Sequence, residues 1–250
     1  MSFGGALLDF LFAPVCLGCG GAIAPTDNAR LICRRCRSRL PALPAPACPR
    51  CGAPRLQTGR PDASLSCREC APWPPQLRAA RAACVLRPPA DRIVHQLKYR
   101  GWHALAEPMA ERMAAITLPP DVVAEARLVV PVPTTAARRR ARGYNQAELL
   151  ARAYARRTGR RALAALGRSV GTSSQTNLQP LERGANVTGA FRSVASAERG
   201  LRGAHVLLVD DVLTTGATAA ECTRQLVAAG ARAVTLVTFA RASTVREVPT

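Results

Sequence analysis

Residues 206–221 read VLLVDDVLTTGATAAE, an apolar run that passes through two acids into a Thr/Gly turn and then a helix-forming segment. In an open α/β sheet, ligands bind at the carboxyl ends of the strands, where this turn is expected to lie. Backbone N–H groups and three hydroxyls meet at the start of the predicted helix, an arrangement that suits one phosphate group. The residues that form this cradle are Thr214, Thr215, Gly216, Ala217 and Thr218.

Two adjacent carboxylates, Asp210 and Asp211, precede the turn. They would repel a phosphate in the same pocket, so we expect them next to the phosphate pocket and not inside it. There they could accept hydrogen bonds from a sugar diol or face a hydrated Mg²⁺. An ordinary strand–turn–helix with exposed acids is the alternative, but it does not account for so many matched positions. The segment therefore predicts a site for a ribose 5-phosphate.

The C-terminal part of the chain alternates strands and helices from about residue 78. This pattern predicts an α/β domain with a mostly parallel sheet flanked by helices. Strands are expected at 127–132, 204–209 and 233–240, and helices at 145–157, with Asn145 as the N-cap, and at 217–229. We accordingly divide the chain into an N-terminal segment, residues 1–77, and an α/β domain, residues 78–250.

The N-terminal segment holds eight of the ten cysteines, in four Cys-x-x-Cys pairs. Thirteen residues separate the first two pairs and fifteen separate the last two, close to the spacing of tetrahedral zinc sites. A glycine follows the first pair of each half, at Gly20 and Gly52, where a tight turn would aim N–H groups at the thiolates. The eight candidate ligands are Cys16, Cys19, Cys33, Cys36, Cys48, Cys51, Cys67 and Cys70.

Disulfides and iron–sulfur clusters are the alternatives to zinc. No signal peptide is recognised, so we expect a reducing, cytoplasmic compartment in which thiol pairs persist as metal ligands. Iron–sulfur sites usually have tighter or unequal spacing. The pattern favours two structural Zn²⁺ ions in a small zinc-ribbon or knuckle module, bound by the first four and the last four thiols. Spacing alone leaves interleaved pairing open. Cys84 and Cys222 stand singly among apolar residues and are expected in the core.

The first fifteen residues are apolar but have neither the basic region nor the cleavage site of a signal peptide. Their large apolar residues fall on one helical face, which predicts a short amphipathic helix docked on the protein. No run of eighteen or more apolar residues exists, so no membrane span is expected.

The chain carries a formal charge of +19, which indicates anionic partners such as nucleic acid or phosphate-bearing small molecules. Residues 127–168 hold eleven arginines and one acid, Glu148, and so carry more than half of this excess. The arginines of 138–142 are expected in a loop beside the phosphate site. Those after residue 155 are expected at a solvated helix end: Arg156, Arg157, Arg160 and Arg161.

Residues 206–218 look like the ribosyl-diphosphate (PRPP) motif of type I phosphoribosyltransferases. Over nearly its whole length, the chain resembles the ComF family of competence-related proteins, which join a cysteine zinc module to such a domain. Besides the paired cysteines, the resemblance includes LKYRG at 97–101, PVP at 131–133, RGYNQ at 142–146, QTNL at 175–178, and ER…NVTGAF between 182 and 191. Tyr144 stands where the family often has Phe.

The resemblance implies a type I phosphoribosyltransferase fold and Mg²⁺-dependent binding of PRPP. Asp210 and Asp211 would be the catalytic residues and would hold the ribose hydroxyls. Residues 214–218 would hold the 5-phosphate. The loop after the PVP strand would face the diphosphate, with Val132, Pro133, Thr134 and Arg142 as binding candidates. A hood over the acceptor site would include Lys98, Tyr144, Asn145 and Gln146.

Two classes of function remain open. The chain could transfer a phosphoribosyl group to an unknown acceptor, or it could be a non-catalytic factor that binds single-stranded DNA and serves the DNA-uptake machinery. The charge suits DNA. Aromatic residues make up only 4% of the chain, which leaves few side chains on which bases could stack. Outside the cysteine module, those few are Tyr99, Trp102, Tyr144 and Tyr154.

Overall fold

The computed structural model describes residues 14–24, 27, 31–55, 67–168 and 189–242. Their centre is a five-stranded parallel sheet, with a two-stranded antiparallel hairpin beside it. The strands are β1 (Leu77–Val85), β2 (Leu128–Pro131), β3 (Arg161–Ala162), β4 (Leu166–Arg168), β5 (Phe191–Ser193), β6 (His205–Leu213) and β7 (Ala233–Arg241). The order in the sheet is β1-β7-β6-β2-β3, and β4 and β5 form the hairpin.

Helices cover the sheet on both sides. The α-helices of the described residues are α1 (Arg34–Ser38), α2 (Ala90–Tyr99), α3 (Ala106–Ala114), α4 (Pro120–Glu125), α5 (Ala136–Arg142), α6 (Gln146–Thr158), α7 (Glu198–Leu201) and α8 (Ala217–Ala228). Short 3₁₀ turns precede α3 at His103–Leu105 and α7 at Ala195–Ala197. No helix in these parts of the chain is long and apolar enough to cross a membrane.

Each face of the sheet has its own core. On one face, Leu207 and Val209 of β6 pack with α2, α3 and α6. On the other face, Val206 and Leu208 pack with α8 and the β4–β5 hairpin. A strand that is buried on both faces has no solvent side, which is why residues 206–209 are continuously apolar. The parallel sheet between helices confirms the predicted fold class.

Helix α6 begins as predicted. The Oδ1 atom of Asn145 accepts a hydrogen bond from the Ala147 amide at 3.2 Å, so this side chain satisfies one of the free N–H groups of the first turn. Leu150 and Tyr154 of the same helix are buried. Cys84 and Cys222 lie in the core, also as expected.

Two local predictions were wrong. Strand β6 does not end before the acids but continues to Leu213, because β7 runs beside it and pairs Asp210 with Thr238 and Leu213 with Arg241. The arginines of 138–142 lie in the short helix α5 and not in a loop. Thr135 caps the start of α5 with its side chain, and Gly143 ends it in a left-handed conformation at φ 80°. The predicted N-terminal amphipathic helix falls on residues outside the described ranges, except for its last two.

The cysteines form two separate clusters, each with its four Sγ atoms within 4.8 Å of one another. The first contains Cys16, Cys19, Cys33 and Cys36, and the second contains Cys48, Cys51, Cys67 and Cys70. Sequential pairing of the Cys-x-x-Cys motifs is thereby confirmed. The Cys19–Cys33 and Cys48–Cys70 sulfur atoms are 3.9 Å apart, close to the edge of about 3.8 Å in a ZnS₄ tetrahedron with bonds of about 2.3 Å. The clusters therefore fit structural zinc.

In each cysteine cluster, the turn after the first Cys-x-x-Cys motif has the expected glycine geometry. Gly20 and Gly52 have φ angles of 78° and 72°, which a side chain would strain. In the first cluster, the amides of Gly18 and Cys33 donate to the Cys16 sulfur at 3.4 and 3.2 Å. Burial alone would raise the pKa of Cys16, but such backbone hydrogen bonds outweigh it and lower the pKa to about 7. These donors therefore stabilise the thiolate form of Cys16.

The two cysteine clusters dock on opposite faces of the sheet. Ile32 and Cys36 of the first pack into the core that contains α2, whereas Cys51 and Trp73 of the second pack into the core that contains α8. The segment between the clusters passes the edge of the sheet, where the Pro41 carbonyl accepts a hydrogen bond from the Val85 amide at 2.9 Å. The cysteine module therefore buries its few apolar residues against the larger domain.

We expect the purified protein to contain about two zinc ions per chain, because each cluster closes a four-thiolate tetrahedron. Elemental analysis measures this ratio directly. Cys84→Ala, which removes a buried thiol outside both clusters, should leave it unchanged. A ratio near one in the wild type would contradict the assignment of all eight thiols.

Candidate functional site

The predicted phosphate turn lies at the carboxyl end of β6 and connects this strand to α8. Asp210 lines a small concavity together with residues of the turn, of α8 and of the neighbouring strand. These are Thr214, Gly216, Thr218, Ala219 and Leu236. The structure thus brings the first acid and the phosphate cradle into one depression.

The N-terminus of α8 is open to an anion. Its N-cap, Gly216, has a φ of 80° and no side chain to cap the helix, and no acid lies in the first turn. The first N–H groups of a helix have no partner within it and carry the positive end of its dipole. One of these groups, the Ala217 amide, donates to Thr215 Oγ1 at 3.3 Å, and the positive charge of this helix end favours an anionic ligand.

Asp211 forms an ion pair with Lys98, the only lysine of the chain. Lys98 Nζ lies 2.9 Å from Asp211 Oδ1, and the carboxylate side chain is only 4% exposed. The other oxygen, Oδ2, is buried and has no hydrogen-bond partner among the described residues. A buried carboxylate oxygen without a donor is costly, so this atom marks a place where a ligand group could bind.

The two acids point to different sides of β6. Asp211 meets Lys98 of α2, whereas Asp210 lies in the concavity beside α8, as the alternation of side chains along a strand requires. Desolvation raises the pKa of Asp210 to about 8, the negative charge of Asp211 adds to the rise, and Lys98 opposes it. The assignment of both acids to the ribose hydroxyls stays a prediction. In this geometry, the two carboxylates have different neighbours.

The residues after β2 are tied to both β6 and α6. The Val132 amide donates to the Val209 carbonyl at 2.9 Å. The Val132 carbonyl accepts from Asn145 Nδ2 at 3.1 Å. Because Asn145 also caps α6, this one side chain fixes the end of β2 relative to the helix. Pro133 and Thr134, the other candidates for diphosphate binding, follow directly and are half-buried.

The predicted hood residues gather at the end of α2. The Tyr144 hydroxyl donates to the Leu97 carbonyl, beside the Lys98–Asp211 pair. Arg142 donates to Gln146 Oε1 at 2.9 Å, and its guanidinium carbon lies 4.9 Å from the centre of the Tyr99 ring. No hydrogen bond or ion pair among the described residues joins Tyr144, Arg142 or Gln146 to the phosphate turn. The predicted motif residues 175–178 and 182–188 fall outside the described ranges.

The arginine-rich segment divides into two groups. Near the end of α6, Arg156 pairs with Glu107, and Arg157 lies 3.5 Å from Glu107 and 4.0 Å from Glu111. By contrast, the side chains of Arg138, Arg139 and Arg140 on α5 make no hydrogen bond or ion pair among the described residues, and all three are exposed. The three adjacent arginines of α5 therefore carry positive charge that no acid of the described residues pairs, unlike Arg156 and Arg157.

Sequence reasoning missed Trp73 and Glu221. The Trp73 indole donates to the Thr215 carbonyl at 3.1 Å and so touches the phosphate turn. The buried Glu221 carboxylate of α8 accepts from the Gly189 amide at 3.1 Å and from Arg224 at 2.8 Å, so it fixes the chain just before β5. A single tryptophan within APWPP, directly after the last Cys-x-x-Cys, was the available signal for the first residue.

The raised pKa of Asp210 predicts a stability difference that depends on pH. Between about pH 4 and the folded pKa of about 8, the native state keeps a proton that the unfolded chain has lost, so stability falls as the pH rises. Asp210→Asn removes this loss. Its melting temperature should exceed that of the wild type more at about pH 9 than at about pH 6, as measured by calorimetry at the two values.

Asp121→Asn on α4 is the matched control, because it removes one acidic charge far from the site. It measures the effect of losing one acid together with its exposed ion pair to Arg78, which should be smaller. A constant difference between Asp210→Asn and the wild type across this pH range would contradict the environment described for Asp210.

Comparison with known proteins identifies both parts of the chain. Residues 7–71 match a double zinc ribbon domain, and residues 145–249 match a phosphoribosyl transferase domain. The DNA utilization protein YhgH of Salmonella typhi is 32% identical over 198 residues, which cover 75% of this chain and 80% of that protein. YhgH of Escherichia coli K12 is 30% identical over 214 residues, with 81% and 87% covered.

The competence protein ComFC of Bacillus subtilis is 26% identical over 202 residues, which cover 76% of this chain and 77% of that protein. The double zinc ribbon, the phosphoribosyl transferase domain and these relatives agree with the two cysteine clusters and the parallel sheet described above. The chain belongs to the ComF family.

Proposed function

We propose that the protein binds PRPP with Mg²⁺ at the carboxyl end of β6 and transfers its phosphoribosyl group to an acceptor. The observation that carries this proposal is the uncapped N-terminus of α8 beside Asp210. A helix N-terminus favours a phosphate monoester. An acid next to this phosphate position could accept hydrogen bonds from the hydroxyls of the attached ribose.

The residues present fit Mg²⁺ together with a sugar diphosphate. The orphan Oδ2 atom of Asp211 and, once the cation displaces its proton, the half-buried Asp210 would offer carboxylate oxygens. These are the ligands that Mg²⁺ prefers, directly or through its waters. When bound, the ion would neutralise charge that develops on the leaving diphosphate. Lys98 holds Asp211 in place at 2.9 Å, and the exposed arginines of α5 lie on the segment that follows β2.

In the transfer itself, the bond between ribose C1 and the diphosphate oxygen breaks, and the electron pair leaves with the diphosphate. A lone pair of the acceptor forms the new bond to C1, and the acceptor loses a proton. The chain's contribution would be to position the two reactants, to hold the leaving group and to exclude water. His205 is no candidate base, because it lies at the opposite end of β6 and contacts Thr235 and Glu125.

The acceptor would bind between the phosphate turn and the end of α2, where the predicted hood residues lie. The printed names of the relatives refer to DNA utilization and competence. They support a role for this activity in handling DNA that enters the cell. The two four-thiol clusters, which fit zinc, support a cytoplasmic location, since thiols persist as metal ligands in a reducing compartment.

Mg²⁺ and PRPP together should stabilise the wild-type protein in a saturable way. At a ligand concentration of roughly 100 times Kd, the gain in unfolding free energy is about 2.7 kcal/mol. We expect Asp210→Asn, and the double variant Asp210→Asn/Asp211→Asn, to lose most of this gain, because a neutral amide cannot replace the carboxylate proposed to bind Mg²⁺ and the ribose hydroxyls. Thermal unfolding of zinc-loaded protein with increasing Mg–PRPP measures it.

Asp121→Asn should respond to PRPP as the wild type does, since it changes the same chemical group at a surface position. No stabilisation of zinc-loaded wild type by Mg–PRPP would refute the proposed ligand. Equal stabilisation of wild type and Asp210→Asn would refute the site.

A second activity, binding of single-stranded DNA, is favoured by one feature of the surface. Tyr99 is 62% exposed and Trp102 is 44% exposed, and Arg142 lies over the Tyr99 ring. The unpaired arginines of α5 precede Arg142 in the chain. Exposed aromatic rings stack with bases, and nearby arginines contact the phosphates. This aromatic and basic surface lies beside the hood and could present a strand to it.

The salt dependence of DNA affinity tests this second activity. Arg138→Ala/Arg139→Ala/Arg140→Ala should weaken binding of a labelled oligothymidine and lower the slope of log affinity against log salt by about 2, since each phosphate contact on a single strand contributes about 0.7. The control is Arg156→Ala/Arg157→Ala, which removes arginines already paired with acids. If both variants lower the salt slope by the same amount per arginine, the net charge of the protein and not this surface accounts for DNA binding.

A further inference from the structure

Trp73 connects the second cysteine cluster to the phosphate turn. It follows Cys70 by three residues in the proline-rich sequence APWPP, and its side chain is buried, with 5% of the residue exposed. Its Nε1 atom donates to the Thr215 carbonyl at 3.1 Å. A Cβ atom added at Gly216 would overlap the indole ring. The backbone of the turn therefore lies directly against the tryptophan.

The cluster determines where Trp73 lies. Arg50, which stands between Cys48 and Cys51, donates to the carbonyls of Cys70 at 3.0 Å and of Trp73 at 3.2 Å. It also donates to Pro74 at 2.7 Å. The Trp73 amide itself donates to the Cys70 carbonyl at 3.1 Å. The four thiols hold the two motifs together, and Arg50 bonds the segment that follows the second motif.

A second connection runs from the same cluster to the start of the turn. Arg241, at the end of β7, donates to the Cys51 carbonyl at 2.8 Å and pairs with Glu69. Its backbone lies opposite Leu213 in the sheet, the last residue of β6 before the turn. The turn is therefore connected to the second cluster at Leu213 through Arg241 and at Thr215 through Trp73.

The first cluster has no such connection. It packs on the other face of the sheet, against the core formed by α2, α3 and α6. No hydrogen bond or ion pair in the described ranges joins its cysteines to residues 213–218. The two clusters have similar sequences, yet among the residues that the structure describes the second alone is connected to the turn by hydrogen bonds.

We propose that Trp73 is a positioning residue and that zinc in the second cluster, but not in the first, sets the affinity of the phosphate turn. Without its metal, the second cluster has little core to keep it folded, and Trp73 and Arg50 lose their fixed positions. Residues 214–218 would then have to be ordered by the ligand, which lowers affinity. This inference rests on the proposed phosphate site and names what prepares it.

The first test uses aromatic variants that keep all eight thiols. Trp73→Phe retains an aromatic ring but removes the donor to Thr215, so we expect its Kd for Mg–PRPP to rise about fivefold, the effect of one neutral hydrogen bond. Tyr154→Phe removes a hydroxyl from a buried ring in the core on the other face of the sheet and should stay within about twofold of the wild type. Calorimetric titration gives both values. Hydrogen exchange at residues 214–218 should increase in Trp73→Phe alone.

The second test compares the third ligand of each cluster, Cys67→Ser against Cys33→Ser, both half-buried in the wild type. With one zinc lost from each variant, Cys67→Ser should bind Mg–PRPP at least about tenfold more weakly and exchange faster at 214–218. Cys33→Ser should change neither by more than about twofold. Equal effects of the two cysteine variants, or unchanged exchange in Cys67→Ser, would overturn the inference.

The two proposals fail in different ways. If neither Mg–PRPP nor inorganic phosphate binds the wild type but exchange at 214–218 still depends on Cys67 and Trp73, the proposed function is wrong and the positioning role stands. If the ligand binds and Trp73→Phe alters neither exchange nor affinity, the positioning role is wrong. The comparison of Trp73→Phe with Tyr154→Phe decides the question when Cys67→Ser does not fold.

Discussion

The pleat of β6 determines the environment of both acids. Side chains alternate between two buried faces along this strand, and a shift of one residue in its pairing would exchange them. The register with β2 and β7 therefore decides that Asp211 meets Lys98 and that Asp210 lies beside α8. Burial on both faces makes the register strict, because a slip of one residue would move each apolar side chain into the opposite core, where it does not fit. The chemistry at the edge of the sheet depends on the packing within it.

Much of the fold could be predicted because its signals are local. Continuous apolar residues indicate strands buried on both faces, Asn145 stands at the start of a helix, and regular cysteine spacing reflects the geometry of a tetrahedron. The end of β6 could not be predicted in this way. An Asp-Asp pair resembles a strand terminus, and only the neighbouring β7, which continues to Arg241, keeps the pairing going. Pairing with a distant strand overrides the local preference.

The candidate site shows the same division between local and distant information. The cradle, the acids and the predicted hood follow from short motifs, whereas Trp73 acts on Thr215 across 142 positions of sequence. The Lys98–Asp211 pair also joins two residues that lie far apart in the sequence. No periodicity or spacing reports such contacts, which arise only when the cysteine module and α2 dock on the finished sheet. The charge pattern could be predicted in part. The excess of arginine is visible in the sequence, but the pairing of Arg156 and Arg157 with acids is not.

Docking of the cysteine module also covers the outer edge of β1. This strand pairs with β7 on one side only, and its other side would present free N–H and C=O groups to a strand of another molecule. Residues of the module occupy several of these groups: the Ala80 amide donates to the Arg50 carbonyl at 2.7 Å, and the Val85 amide donates to Pro41. The metal-bound module is thereby a protection against edge-to-edge aggregation, and a chain that loses its metal would expose a strand ready for self-association.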